Sequence, residues 1–149
     1  DATTQYTILG MPSRGAGTEL IWSFGNGNDK YMWSARGGAT TGFDVYNITT
    51  DTFEYGLFQS PTTAEPLTTG AMYAYDGSNR IYINVNATNR IVYYDVTTRQ
   101  IVNSGTLPYG HSTAIIGNRM EIVNGPDNLK FLYVMRHSGQ EMWRTLLFW

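Results

Sequence analysis

The sequence predicts an all-β chain made of antiparallel, four-stranded units that recur along its length. Three observations carry that expectation. Tyr31, Trp33 and Ala35 are echoed one period later by Ile81, Ile83 and Val85, and again by Phe131, Tyr133 and Met135, each set introduced by a base, Lys30, Arg80 or Lys130. Turn-forming clusters, Asn26-Gly27-Asn28-Asp29, Asp76-Gly77-Ser78-Asn79 and Gly125-Pro126-Asp127-Asn128, precede the three echoes at equivalent places. A repeat of roughly 50 residues built from alternating segments is the period of stacked β units, most often propeller blades.

The middle unit, about residues 70–106, is the most legible. Ala71 to Tyr75 forms a first strand, and the turn at Asp76 to Asn79 leads into Ile81, Ile83 and Val85 alternating with Tyr82, Asn84 and Asn86. Such alternation sends successive side chains to opposite faces of a sheet. Ile91 to Val96 and Gln100 to Asn103 complete a four-stranded meander. The first unit, about 17–58, repeats that order with Leu20 to Phe24, Tyr31 to Arg36, Phe43 to Ile48 and Thr52 to Phe58, and its Tyr46-Asn47-Ile48-Thr49-Thr50 matches Tyr94-Asp95-Val96-Thr97-Thr98. The third, about 111–149, has segments for only three strands: Met120 to Asn124, Phe131 to Arg136 and Glu141 to Phe148.

At the other end, residues 3–9 read as an outer strand without its blade, because Gln5-Tyr6-Thr7-Ile8-Leu9 precedes Met11-Pro12 as Ile101 and Val102 precede Leu107-Pro108. Three blades are too few to close a ring, since propellers have about four to eight. The expectation is a single propeller unit over residues 1–149, completed by further chain or by other subunits. A first residue Asp1 fits a processed chain or a piece of a longer one.

The first unit resembles a kelch repeat. Met11-Pro12-Ser13-Arg14 stands before its first strand, Gly37-Gly38 follows the second, and Tyr46-Asn47 with Phe53 stands where that family has Tyr-Asp and a following aromatic. Leu107-Pro108 with Gly110-His111-Ser112, and Tyr94-Asp95, fit the same pattern in the later units, whereas Asn84-Val85 and Met135-Arg136 replace the paired glycines. The resemblance implies a kelch-like propeller. It implies no chemistry, because such propellers serve as platforms, enzyme scaffolds and structural parts alike.

Composition narrows the uses. A net charge of −2, and Lys30 and Lys130 as the two lysines, oppose a nucleic-acid partner, which needs clustered cations. No cysteine is present, so disulfides, thiolate nucleophiles and Cys-based metal sites are excluded. The absence also excludes the Cys–Tyr cofactor of the galactose oxidase family, and the Ser-x-Asp-x-Gly-x-Thr-Trp pattern of sialidase propellers is missing. No apolar run is long enough for a membrane helix, the most apolar stretch being the short tail Met142 to Trp149 with Arg144 inside it.

His111 and His137 are the two histidines, and neither stands at ligand spacing from an acid. Ser112 follows His111 directly, and strand neighbours face opposite ways, so the two do not form a nucleophile and base. Asp29, Asp76 and Asp127 fall in equivalent turns and are explained by turn formation. No catalytic residue, metal site or cofactor is expected. Tyr75, Tyr82, Tyr109 and His111 are the candidate binding residues, offering flat aromatic or polar surfaces at blade ends to a sugar or a protein. The leading expectation is a non-catalytic module of a larger assembly, with a bacteriophage virion part (neck, collar, tail or fibre) as its most specific form. Its partners would be other protein subunits, in a homo-oligomer or a multi-protein complex, and its location a virion or an extracellular space. A carbohydrate-binding lectin of oligomerised blades is the alternative, and a fragment of a propeller enzyme the second.

Overall fold

A computed structural model describes residues 18–24, 27, 29–36, 43–58, 71–85, 89–107, 119–136 and 141–147. The described chain is β throughout, apart from a single 3-10 turn at Pro126–Asn128. Strands β1 (Glu19–Ser23), β2 (Tyr31–Ala35), β3 (Phe43–Asn47) and β4 (Thr52–Phe58) form one antiparallel sheet in sequence order. Strands β5 (Met72–Tyr75), β6 (Arg80–Asn84), β7 (Arg90–Asp95) and β8 (Gln100–Thr106) form a second in the same order. A third holds β9 (Arg119–Asn124), β10 (Lys130–Arg136) and β11 (Glu141–Leu147). None is closed into a barrel; each is a blade-like meander. The expected outer strand at 3–9 lies outside the described residues.

Turn chemistry fixes the hairpins. Asp76 Oδ1 accepts backbone N–H bonds from Ser78, Asn79 and Arg80 at 2.8, 3.0 and 3.0 Å, while Gly77 takes φ +73°, which suits a residue without Cβ. The next turn is written twice. Asn47 Oδ1 accepts from Thr49 and Thr50, Asp95 Oδ1 accepts from Thr97 and Thr98, and Asp51 and Arg99 each follow with positive φ.

These paired turns give the true correspondence between units. Asn47 lies opposite Tyr31, and Asp95 lies opposite Arg80, so Tyr31 corresponds to Arg80 and Trp33 to Tyr82. The β5–β6 and β9–β10 hairpins close with the same bond, Asp76 N–H to Arg80 O and Gly125 N–H to Leu129 O, which sets Tyr82 with Phe131. The alignment expected from sequence, Trp33 with Ile83 and Tyr133, is therefore displaced by one residue in the second sheet and by two in the third. In a strand a slip of one residue exchanges the two faces, and a slip of two keeps them.

With the register corrected, the sheets pack head to tail. Ile21, Trp33, Phe43 and Val45 leave one face of the first sheet and meet Tyr73, Tyr75, Ile81, Ile83, Val92 and Tyr94 on the near face of the second. From its far face Met72, Ala74, Tyr82 and Ile91 meet Met120, Leu132 and Val134 of the third. The middle sheet is buried on both sides, which is why β5 is buried at every position. The sheets approach most closely at their first strands, β1 to β5 and β5 to β9. That is the arrangement of successive blades, with each first strand innermost.

Trp33 anchors the first junction. Its ring is fully buried, stacks on Phe43 at 6.0 Å and meets Tyr94 edge-on at 5.2 Å, while its Nε1–H donates to Ser23 Oγ at 2.9 Å. The indole thus fills the space between two sheets without leaving its polar atom unpaired. An ion pair spans each junction at its rim: Arg99 to Glu54 at 2.6 Å between the first two sheets, and Lys130 to Asp76 at 3.5 Å between the second and third.

Two outcomes follow from this packing. Trp33→Ala lowers the unfolding free energy by about 3–5 kcal/mol in chemical denaturation, whereas Trp22→Ala, at a position 53% exposed, costs less than about 1 kcal/mol. The hydrogen bond from Arg99 holds the Glu54 carboxyl below its ordinary range, against a small opposing effect of burial. The pair therefore contributes stability above the ordinary Glu range, and that contribution is lost as pH falls through the lowered value. Both side chains are more than a third exposed, so water screens the pair and it is worth under about 1 kcal/mol. Glu54→Gln removes this part of the acid-side loss of stability, as read from unfolding midpoints across pH.

Candidate interaction faces

Among the described residues, head-to-tail packing leaves one face of each end sheet without a neighbouring sheet. On the first sheet the outward face carries Leu20 and Trp22 from β1, Met32 from β2, Tyr46 from β3 and Phe53 from β4. Leu20 is 58% exposed, and its counterparts in the other sheets are Tyr73 and Ile122, both packed into the inter-sheet clusters. Trp22 corresponds to Tyr75, Met32 to Ile81 and Tyr46 to Tyr94, three side chains that are buried in the middle sheet.

Local bonds hold this face in shape. Trp22 Nε1–H donates to Asp29 O at 2.8 Å, and its ring lies 6.0 Å from Phe24, which in turn meets Tyr75 edge-on across the junction. The Tyr46 ring packs at a tilt against Phe53 at 4.9 Å, and its hydroxyl donates to Asp51, a bond that raises the phenol above its ordinary value. One polar spot interrupts the apolar surface. Arg36 grips the buried carboxylate of Asp44 through two bonds of 2.8 and 2.6 Å, at the positions that Val85 and Val92 occupy in the middle sheet. A bidentate pair satisfies the carboxylate fully, so it leaves no uncompensated charge on the face.

On the third sheet the outward face is Val123 from β9, Phe131, Tyr133 and Met135 from β10, and Met142 and Leu146 from β11, with Arg119, Glu121 and Arg144 between them. Val123 is 45%, Met135 46% and Met142 66% exposed. Phe131 takes the place that Trp33 and Tyr82 hold at the centres of the two internal junctions. The Arg144 guanidinium lies 5.0 Å over its ring. Exposed apolar side chains scattered singly need no explanation; contiguous ones on an otherwise folded surface mark interaction sites.

The residues singled out from sequence fare differently. Tyr75 and Tyr82, two of the candidate binding residues, are buried at 9% and 2% exposure. The reason is that their sheet is covered on both sides, so either parity of aromatic is enclosed. Burial, then the carboxylates of Asp76 and Asp29, push the Tyr75 phenol up to about 12, and its hydroxyl donates to Ser78 O at 2.5 Å. Burial likewise raises Tyr82 to about 12 against the lowering contact with Arg80, and its ring packs on Tyr93 at 5.6 Å. Tyr109 and His111, together with Ser112 and His137, lie outside the described residues. The Leu20, Trp22 and Met32 face and the Val123, Phe131 and Met135 face were missed. Matching the two Asx turns, Asn47 with Asp95, before matching the strands was the signal that separates inward from outward positions.

Cavities among the described residues offer little chemistry. One of about 180 Å³ between the second and third sheets is lined by Tyr82, Ile91, Leu107, Leu132, Thr145 and Leu147 and brings no titratable cluster together. Another, at the β5–β6 turn, is walled by Asp76, Ser78, Asn79, Arg80 and Lys130, whose charges are engaged in the turn and the junction. Among the described residues no three His, Cys, Asp or Glu side chains gather as metal ligands.

Gly125 gives a test of the third-sheet face. A Cβ there would stand 2.6 Å from Phe131 Cε2, so Gly125→Ala must displace the ring. The expected result is loss of the Arg144–Phe131 contact, visible as a downfield shift of the Arg144 side-chain protons, with a stability cost of about 1 kcal/mol. No protein-family model matches the chain, and no curated protein is significantly similar to it, so the use of these faces is argued from their geometry and chemistry.

Proposed function

We propose that this chain is a non-catalytic propeller module, kelch-like in pattern, that builds a larger protein assembly through the open faces of its first and third sheets. The observation that carries this reading is positional. Leu20, Trp22 and Val123, at positions equivalent to the buried Tyr73, Tyr75 and Ala74 of the middle sheet, stand exposed at the two ends, and Met135 and Met142 extend the apolar surface of the third sheet. An apolar side chain at such a position gains nothing from water, and covering it contributes about 25 cal/mol per Å².

The buried carboxylates support a structural role: Asp44 is bound by Arg36, and Asp76 is bound by three backbone amides and Lys130. The chain has few lysines and many Thr, Asn and Gly residues, a composition that suits a virion part such as a neck, collar, tail or fibre. No helix among the described residues is long and apolar enough to cross a membrane. The carbohydrate reading is the weaker one, since two of its four candidate residues, Tyr75 and Tyr82, are enclosed.

Peroxide footprinting of the native complex tests the proposal, because thioether oxidation follows exposure. Met135 and Met142 are expected to oxidise several-fold more slowly in the assembled state than in the separated chain. Equal rates in the two states would overturn the assignment of this face to assembly.

A further inference from the structure

Taking the assembly reading as its basis, we infer that the occupant of each open face is a second copy of this chain, joined head to tail: the third sheet of one copy covers the first sheet of the next. The argument is continuity with the contact the chain already makes twice. In both internal junctions the far face of one sheet meets the near face of its successor, and no like faces meet. Among the described residues the far face of the third sheet and the near face of the first meet no other sheet, and they are the two halves of one junction.

Apolar residues on each face stand at positions that the internal junctions bury, while Arg144, held over the Phe131 ring, stands where Phe43 and Ile91 are buried. On the far face, Phe131 stands where Trp33 and Tyr82 are buried, and Val123 stands where Ile21 and Ala74 are buried. On the near face, Leu20 and Met32 stand where Tyr73 and Ile81 are buried. The Arg36–Asp44 pair enters the contact already neutralised. Like-to-like dimerisation would instead set two far faces together, a pairing that the chain nowhere uses. A head-to-tail contact either closes on itself or grows without end. Two copies bring six sheets, within the range of about four to eight blades that complete a ring.

The experiment uses the 149-residue chain with one lysine placed on each face, Leu20→Lys or Val123→Lys, and native mass spectrometry with sedimentation at micromolar concentration as the readout. The wild-type chain is expected at twice its monomer mass. Each variant alone is expected as a monomer, because every contact it can form includes one damaged face. An equimolar mixture of the two variants is expected to return a heterodimer, since the sound third sheet of L20K meets the sound first sheet of V123K. Circular dichroism and unfolding midpoints establish that both variants fold; if either does not, Trp22→Gln and Met135→Gln carry the same logic.

A wild-type monomer, variants that associate as the wild type does, or a mixture that stays monomeric would each overturn the inference. These results are separable from failure of the broader reading. A monomeric chain whose Met135 and Met142 are nonetheless protected in the native complex retains the assembly role and loses only the self-partner.

Discussion

A sheet that is apolar on both sides is not stable in water by itself, and everything else in this molecule is arranged around that constraint. The middle sheet presents Tyr73, Ile81 and Ile83 one way and Met72, Ala74 and Tyr82 the other, all buried. Enclosing it demands a neighbour on each side, and strand twist makes the neighbours meet it at an angle, closest along β1, β5 and β9. The hydrogen-bonded turns at Asp76, Asn47 and Asp95 hold the register that decides which residues face which neighbour. Once that register is set, the aromatic wedge of Trp33, Phe43 and Tyr94 falls into place between two sheets. The polar contacts that accompany it, Trp33 to Ser23 within the core and Arg99 to Glu54 at the rim, satisfy or align groups that burial has already brought close.

Strand existence was legible in the sequence because alternation and turn residues are local signals. The meanders over Glu19–Phe58 and Met72–Thr106 follow the expected order, and the third unit shows the three strands read for it. Face assignment was not legible from the strands alone. Ile81, Ile83 and Val85 look like a repeat of Tyr31, Trp33 and Ala35, since both are apolar and both follow a base. In a two-sided core, both parities are apolar, so hydrophobicity cannot report which way a side chain points. The turns break the tie: Asn47 and Asp95 perform the same bonding task, and counting back from them pairs Trp33 with Tyr82.

The same ambiguity governed the site. Tyr75 and Tyr82 were singled out because a tyrosine in a strand can serve a core or a surface, and their sheet has no open surface to give them. The surface that does exist belongs to the end sheets, whose Leu20, Trp22 and Val123 read in the sequence as ordinary core residues. They have the composition of core because they stand at positions that are buried in the middle sheet, as Tyr73, Tyr75 and Ala74. An exposed apolar face of this kind carries information only when its buried counterparts are known, and that knowledge comes from three-dimensional correspondence between units.

The head-to-tail order of the faces has an evolutionary corollary. Each sheet offers its successor the same pair of surfaces, so gene duplication of an entire unit would add a blade that already fits both of its neighbours. A single codon inserted within β6 would do the opposite, turning Ile81 and Ile83 away from Trp33 and Tyr94 and severing two junctions at once. Whole modules and turns, such as the longer β1–β2 connection, are therefore where length can change without exchanging faces, whereas a one-residue change in a strand interior exchanges them.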